Sequence, residues 1–362
     1  MVAAEDEKKD APAAKADDTT TNTTNTNTNN GQKYGKDIFN ANDKNETWYH
    51  ELIEDGLALS YRVDQVYHRG KSEFQEIEVV QTTPFGRLLV TDGLMQSSEC
   101  DEVVYHEALV HPAMTLHENP KRVFIAGGGE GATMREVLRH PSVEECVMVD
   151  IDGVLVEQCR EHCPFYNDNA YDDPRAKLVI GDAKKGLEDY PEGSFDVIVM
   201  DLSDPLDGGP CYQLYTTSFY ETAKSKLKPN GILVTQSGCA SVRDAQFVWS
   251  PIHNTLKQVF DNVSGYTMCV PSFTSEWGFN IASLDPAKPN LREKGMNEVD
   301  ERLKERKLDA ALQFYDSISH ARMFSPPKQL RKLLAEETRV MTVENPLFMC
   351  TTDTHVGLFE KK

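Results

Sequence analysis

The sequence predicts an α/β protein whose main domain is a doubly wound, mostly parallel Rossmann-like sheet, preceded by a small antiparallel β domain. From Lys121 onward, short apolar runs such as "RVFIA" and "VIVMD" alternate with segments of helical apolar spacing. The first run leads directly into a glycine-rich turn, "GGGEG". Between Trp48 and Gln96, short β-rich segments are separated only by turns, which is typical of an antiparallel unit.

Changes in composition divide the chain into four segments. Residues 1–45 include "DDTTTNTTNTNTNNGQ" and carry too little apolar surface to fold, so we expect a disordered low-complexity tail. Residues 46–115 are predicted to form the N-terminal β domain and a linking helix, and residues 116–290 the Rossmann-like domain. Residues 291–362, which become charged at "NEVDERLKERK", are expected to form a C-terminal helical extension.

The charge balance points away from one class of partner. The chain of 362 residues contains 58 Asp and Glu against 38 Lys and Arg, a formal net charge of −20. Nucleic-acid binding needs basic surface to meet phosphate, so we expect no nucleic-acid partner. An acidic cleft would instead concentrate a cationic small molecule, although many proteins are acidic without such a ligand.

The cysteines and apolar runs bear on location. The eight cysteines are scattered without a CxxC pair, which favours reduced thiols. Cys159 and Cys163 share a helix face in "CREHC", but no second ligand pair lies near, so buried thiols are favoured over a metal site. The first residues lack a signal-peptide pattern and no apolar run approaches membrane-spanning length. We therefore expect a cytoplasmic protein that does not associate with membranes.

Three successive strand ends predict a nucleoside site. Gly127, Gly128 and Gly129 follow the first strand and allow the backbone to approach a ligand, although a tight turn alone often needs glycine. Asp150 ends the next strand, where an acid commonly accepts hydrogen bonds from ribose hydroxyls. Asp182 ends the third strand and could accept from an adenine amino group.

Glu130 distinguishes this site from a dinucleotide site. It occupies the position at which a dinucleotide enzyme presents a helix N-terminus to pyrophosphate, and a carboxylate there would repel phosphate. The residue therefore favours a nucleoside with a positive group at its 5′ side.

These motifs resemble the polyamine aminopropyltransferases, the family of spermidine and spermine synthases. The segments "FQEIEV", "GRLLVTDGLMQSSECDEVVYHEALVHP", "FIAGGGEGATMREVLRH", "VDID", "GDA" and "DLSDPLDGGPCYQLYT" occur in the family's order. The details are most similar to its thermospermine-forming members. The resemblance implies a class I methyltransferase-like catalytic domain and a homodimer or homotetramer.

The resemblance also implies a reaction. Decarboxylated S-adenosylmethionine would donate its aminopropyl group to spermidine, giving thermospermine and methylthioadenosine. We expect no cofactor and no metal, because the leaving group departs neutral. The attacking amine is protonated at neutral pH, with a pKa of about 10.4. Asp201, at the ligand edge of its strand, would accept that proton as the catalytic base.

Further roles are carried over from the family. The resemblance implies donor contacts from Gln75, Gly127, Glu130, Asp150, Asp182 and Ala183. It implies acceptor contacts from Tyr105, His106, Asp204, Gln96, Phe273 and Trp277. His106 stands where the family has Gln, and Phe273 stands roughly where spermidine synthases have Tyr, which puts putrescine in doubt as acceptor. His106 could instead be a core histidine, and Phe273 and Trp277 could be ordinary core.

Other activities remain open from sequence alone. Spermine synthase and spermidine synthase differ only in which nitrogen meets the donor carbon. An S-adenosylmethionine-dependent methyltransferase would fit the strand order and "LKPNGILV", but the extra acid at Glu130 would meet the carboxylate of ordinary S-adenosylmethionine. A non-catalytic polyamine-binding protein would keep the acidic cleft without needing the donor site.

Overall fold

The computed structural model describes residues 47–54, 57–207, 209, 211–285 and 296–349. The predicted tail at residues 1–45 lies outside this described part. Among the described helices, none combines the length and apolar character that crossing a bilayer requires.

The first domain is an antiparallel sheet whose strands pair in chain order. Its strands are β1 (Thr47–Glu54), β2 (Leu57–Lys71), β3 (Glu76–Thr82), β4 (Gly86–Thr91) and β5 (Leu94–Ser98). Val80, Leu88, Val90 and Met95 are buried on the inner face, as expected from alternating strand side chains. The predicted N-terminal β domain is confirmed.

Helix α1 (Glu102–Leu116) connects this domain to the second sheet and is buried over nearly its whole length. Asp101 directly precedes this helix, but its side chain makes no capping bond. Its carboxylate instead accepts hydrogen bonds from Ser98 Oγ at 2.6 Å and from Ser272 N at 2.6 Å. Asp101 therefore ties the end of the β domain to the loop that precedes Phe273.

The second sheet has the order β11-β12-β10-β9-β6-β7-β8. Its strands are β6 (Arg122–Gly127), β7 (Glu145–Asp150), β8 (Ala176–Ile180), β9 (Phe195–Asp201), β10 (Leu227–Cys239), β11 (Asn262–Val270) and β12 (Ser275–Ser283). Strands β8, β7, β6, β9 and β10 are parallel, and β12 runs antiparallel to both of its neighbours. The predicted doubly wound sheet is confirmed.

Helices cover both faces of this sheet. They are α2 (Ala132–Leu138), α3 (Gly153–His162), α4 (Pro164–Asn167), α5 (Ala183–Glu188), α6 (Thr217–Lys226) and α7 (Trp249–Lys257). The sequence predicts a helix from Arg243 to Phe260, and that start is wrong because α7 begins at Trp249. Ser241 Oγ accepts the Asp244 N–H at 3.1 Å and donates to Asp244 Oδ2 at 2.7 Å, so short polar side chains hold a turn before the helix.

The C-terminal extension contains α8 (Met296–Glu305), α9 (Ser317–Met323) and α10 (Lys328–Glu336). Arg306 fastens α8 to the end of α1 by donating to the carbonyls of Met114 at 2.7 Å and His117 at 2.9 Å. Glu107 of α1 accepts the Tyr315 N–H at 2.7 Å. The helix α10 packs on α7, so the extension reaches the opposite face of the sheet.

Candidate active site

The parallel strands deliver acids to one edge of the sheet. Gly127 at the end of β6 pairs with Asp201 at the end of β9, and Asp150 at the end of β7 pairs with Ile180 at the end of β8. Asp182 follows β8 by two residues. In open α/β sheets this carboxyl edge is where ligands bind.

The glycine-rich turn holds the backbone close to two of these acids. Gly127 and Gly128 have φ angles of 79° and 78°, which other residues rarely adopt. A Cβ on Gly127 would lie 2.2 Å from the Asp201 carbonyl oxygen, and a Cβ on Gly129 would lie 2.8 Å from Asp150 Oδ2. Side chains at these positions would displace the acids, so the turn requires glycine for both conformation and space.

The Asp201 carboxylate is oriented by two hydroxyl groups. Tyr105 of α1 donates to Oδ1 at 2.8 Å, and Thr133 of α2 donates to Oδ2 at 2.6 Å. Burial and the nearby Glu130 charge raise the pKa of Asp201 to about 6. The sequence does not identify Thr133, which shows no signal beyond its place in the helix after the glycine-rich turn.

Glu130 is paired with a buried histidine. His106 Nε2 lies 3.1 Å from Glu130 Oε1, and His106 Nδ1 lies 2.8 Å from Glu102 Oε2. Burial disfavours the charged ring, but hydrogen bonds and charges from the two carboxylates outweigh it and raise the pKa of His106 to about 10. Burial likewise opposes ionisation of Glu130, yet the His106 hydrogen bond and charge hold its pKa below the usual value.

This pair continues into a buried ionic network. Arg135 of α2 binds both carboxylate oxygens of Glu102, each at 2.9 Å, and its Nε donates to Glu136 at 2.7 Å. Every charge in the series Glu130, His106, Glu102, Arg135 therefore contacts an opposite charge. Such a network keeps each protonation state fixed over a wide pH range.

Three side chains come close enough to be considered as metal ligands. One ligand atom each from His106, Glu130 and Asp201 lies within 4.8 Å of the other two. Both nitrogens of His106 already contact carboxylates, and an imidazolium ring offers no lone pair to a metal. The arrangement fits an ion-paired histidine better than a metal ligand, and the expectation that no metal is needed stays a prediction.

The predicted donor residue Gln75 reaches the site through a neighbour. Its Nε2 donates to Asp152 Oδ2 at 2.8 Å, and the Asp152 N–H donates to Asp150 Oδ1 at 2.8 Å. Burial, together with the charges of Glu130 and Asp152, raises the pKa of Asp150 to about 7. The sequence predicts no role for Asp152, although "VDID" places it two residues after Asp150.

The next strand end carries a capped helix and an exposed apolar side chain. Asp182 Oδ1 accepts the Lys184 N–H at 2.7 Å and so caps α5, whose first residue is the buried Ala183. Ile180, between Asp150 and Asp182 along the edge, is 51% exposed. An exposed isoleucine at this point offers an apolar surface to a flat ring, a feature that the sequence alone does not predict.

An aromatic row leads from Asp201 towards Asp204. The Phe273 ring lies 5.9 Å from the Tyr105 ring and 4.6 Å from the Trp277 ring, measured between centroids. Trp277 Nε1 donates to Gln236 Oε1 at 3.2 Å, and Gln236 Nε2 donates to Asp204 Oδ1 at 3.2 Å. Burial raises the pKa of Asp204 to about 6, although the Gln236 hydrogen bond opposes this.

Two predicted acceptor residues lie apart from this row. Gln96 Nε2 donates to the Leu94 carbonyl at 3.2 Å, and within the described residues no hydrogen bond joins Gln96 to Asp201 or Asp204. His106 is fully buried and bonds Glu130, which places it with the predicted donor residues. The structure brings the other predicted acceptor residues together.

Comparison with models of known protein families identifies the family of this chain. The model of the spermine/spermidine synthase domain matches residues 102–292. The chain belongs to the spermine/spermidine synthase family. The model described as the spermidine synthase tetramerisation domain matches residues 47–99.

Individual relatives span most of the chain. Thermospermine synthase ACAULIS5 of Arabidopsis thaliana is 44% identical over 310 residues, covering 85% of this chain and 89% of its own. The polyamine aminopropyltransferase of Aeropyrum pernix is 44% identical over 303 residues, covering 84% and 95%. A crystal structure of spermidine synthase with the transition state analogue AdoDATO has a TM-score of 0.71 at 29% identity, covering 80% and 96%. The resemblance drawn from sequence is confirmed, and the chain is an aminopropyltransferase of this family.

Proposed function

We propose that the chain transfers the aminopropyl group of decarboxylated S-adenosylmethionine to spermidine, giving thermospermine and methylthioadenosine. The observation that carries the reaction is the Asp201 carboxylate, held by Tyr105 and Thr133 at the ligand edge of the sheet. The choice of a long acceptor rests on the aromatic row and on Phe273, which offers no hydroxyl to a second amine. The Arabidopsis thermospermine synthase among the relatives supports the same product.

The proposed chemistry is a single displacement. An ammonium of spermidine transfers a proton to the Asp201 carboxylate, and the freed lone pair attacks the aminopropyl carbon bonded to sulfur. The carbon–sulfur bond breaks, and its electrons neutralise the sulfonium as methylthioadenosine leaves. A carboxylate with a pKa of about 6 is ionised at neutral pH and is closer in basicity to the amine than an ordinary aspartate.

The donor side is proposed to bind the nucleoside along the strand ends. Asp150 accepts from the ribose, Asp182 accepts from the adenine amino group, and Ile180 covers one face of the base. Glu130 contacts His106 through Oε1. The Glu130 carboxylate is also proposed to attract the amine of the donor. Gln75 acts beside the ribose through its contact with Asp152.

The acceptor is proposed to lie along the aromatic row, with one amine at Asp201 and another at Asp204. The methylene segments of a polyamine pack on Phe273 and Trp277, and its ammonium groups gain from the ring faces. The raised pKa of Asp204 returns towards normal once an ammonium is bound, because an opposite charge favours the carboxylate.

The product assay tests this assignment. Purified protein is incubated with decarboxylated S-adenosylmethionine and spermidine, and thermospermine is separated from spermine by chromatography. We expect a thermospermine peak with equimolar methylthioadenosine. A spermine peak alone would exclude the proposed product, and turnover only with putrescine would indicate a spermidine synthase.

Assembly, location and cofactor need are also proposals. The match of residues 47–99 to a spermidine synthase tetramerisation domain supports a homodimer or homotetramer formed through the β domain. Light scattering coupled to size-exclusion chromatography would give the subunit number. Cytoplasmic location and cofactor-independent turnover stay predictions, which fractionation and assay after dialysis against a chelator would test.

A further inference from the structure

The C-terminal strap, residues 337–349, crosses the face of the sheet opposite α1 without forming a helix or strand. The Met341 N–H donates to Thr255 Oγ1 of α7 at 2.9 Å, and the Met341 carbonyl accepts the Thr217 N–H of α6 at 3.1 Å. The Met341 side chain is fully buried between these helices. The strap is therefore anchored at its middle to two helices of the catalytic domain.

The far end of the strap contacts the acidic loop, residues 202–216, which joins β9 to α6. The Phe348 ring meets the Tyr212 ring edge-on, with centroids 5.9 Å apart and an interplanar angle of 73°. The Met349 N–H donates to the Pro205 carbonyl at 3.0 Å. These contacts join the strap to the loop at two points, Pro205 and Tyr212.

The acidic loop carries Asp204, so the position of Asp204 depends on the contacts that hold the loop. Connections between strand and helix in α/β proteins usually span about 2–6 residues, and this loop is longer even with the short 3₁₀ helix Cys211–Tyr215 within it. Its inner end is fixed because Gln236 donates to the Leu202 carbonyl at 2.6 Å and Tyr215 donates to the Ser203 carbonyl at 3.1 Å. The outer part rests on the strap.

We propose that Phe348 is a positioning residue for acceptor binding, because the C-terminal strap holds the acidic loop with Asp204 facing the aromatic row before the polyamine arrives. The inference rests on the proposed acceptor role of Asp204. Ordering a loop at the moment of binding weakens affinity, and a loop that is already held avoids that cost. The predicted donor residues follow other strands, so the main effect is expected on the polyamine.

Substitution at Phe348 separates this role from general stability. Phe348→Ala removes an edge-on aromatic pair and is expected to raise KM for spermidine by about threefold to tenfold. The KM for decarboxylated S-adenosylmethionine and the kcat are expected to change by less than about twofold, because the strap does not contact Asp201 or the glycine-rich turn. Phe348→Tyr keeps the ring and is expected to restore KM for spermidine.

A matched pair of shortened chains tests the strap as a whole. A chain ending at Met349 keeps both contacts and is expected to retain the KM for spermidine, whereas a chain ending at Asn345 loses them and is expected to resemble Phe348→Ala or exceed it. An unchanged KM for spermidine in Phe348→Ala would overturn the inference. So would a parallel rise in both KM values, which would mark a general structural defect.

The result is distinguishable from failure of the proposed function. Methylthioadenosine release is followed with whichever polyamine the full chain uses, so the strap can be tested even if the product is not thermospermine. A full chain that releases none with any polyamine would refute the proposed function itself.

Discussion

The donor half and the acceptor half of the candidate site are held by different forces. On the donor side, the glycine-rich turn fixes the backbone, and Glu130 contacts the cationic His106. On the acceptor side, Asp204 is bonded by the neutral Gln236, and the rest of the wall is aromatic. An ion-paired carboxylate keeps its charge over a wide pH range, whereas burial raises the pKa of Asp204 to about 6. Glu130 is therefore fixed in charge, whereas the contacts of Asp204 can be altered by neutral substitutions.

The largest expected effect comes from the residue that both halves share. Asp201→Asn keeps the shape of the side chain but cannot accept the proton, so kcat should fall by about 10²–10⁴-fold. Binding of methylthioadenosine, measured by calorimetry, should persist because the donor residues are untouched. Asp196→Asn is not a suitable control, since Asp196 bonds Lys228 at 2.8 Å and supports the fold. Retained turnover in Asp201→Asn would remove it from the base role.

A smaller effect is expected on the acceptor side alone. Gln236→Leu removes the hydrogen bonds to Asp204 and Trp277, so KM for spermidine should rise by about tenfold to 100-fold while KM for the donor stays unchanged. Gln258→Leu, at the exposed residue that follows α7, serves as a matched control and should leave both constants unchanged. An equal rise in both KM values would show that Gln236 does not act on acceptor binding alone.

On the donor side, removing the positive charge of His106 should shift the acid limb of the kcat/KM profile. His106→Gln keeps an N–H donor for Glu130 but removes the positive charge that lowers the pKa of Asp201. The pKa of Asp201 should therefore rise, and the acid limb of the kcat/KM profile should move to higher pH, so activity at pH 6 falls by about threefold to tenfold more than at pH 8.

The control for this prediction is His111→Gln. His111 is also buried and lies 3.0 Å from Glu136, yet it does not bond a residue of the site. The limb should stay in place in His111→Gln. A limb that moves equally in both variants would mean that His106 acts through stability rather than charge.

The smallest expected effect is on thermal stability. The folded-state pKa values of Asp201 and Asp204 are raised to about 6, so the folded chain holds these protons to higher pH than the unfolded chain, and their contribution to stability falls as pH rises from about 4 to 6. Spermidine pairs with the ionised forms, so the Tm increase that it causes should be larger at pH 7.5 than at pH 5. Asp204→Asn should reduce that difference. A Tm increase that does not depend on pH would contradict the proposed pairing of spermidine with Asp201 and Asp204.

The sequence predicts the strand ends well because their features are local. The apolar runs locate the strands, and the strand ends place Asp150, Asp182 and Asp201 on one edge. The acceptor half depends on contacts between distant residues. Gln236 lies in the apolar strand "ILVTQS", where a polar residue needs a partner, but nothing in the sequence identifies Asp204 or Trp277 as that partner.

His106 differs in its contacts from its neighbour in the chain. Its place after Tyr105 predicts the acceptor side, yet on a helix consecutive residues point about 100° apart. Tyr105 bonds Asp201, whereas His106 bonds Glu102 and Glu130. The acceptor role of His106 stays a prediction, and its contacts lie with the predicted donor residue Glu130.

The Asp101 carboxylate couples the β domain to the residues of the aromatic row. It joins Ser98, the last residue of the β domain, to Ser272, whose neighbour Phe273 lines the acceptor row. The helix carrying Tyr105 begins at the next residue after Asp101. Any rotation of the β domain would thus move Tyr105 and Phe273 with it. If, as proposed, the chain assembles through the β domain and binds its acceptor along the aromatic row, substitutions at the subunit contact would change acceptor preference without changing a residue of that row.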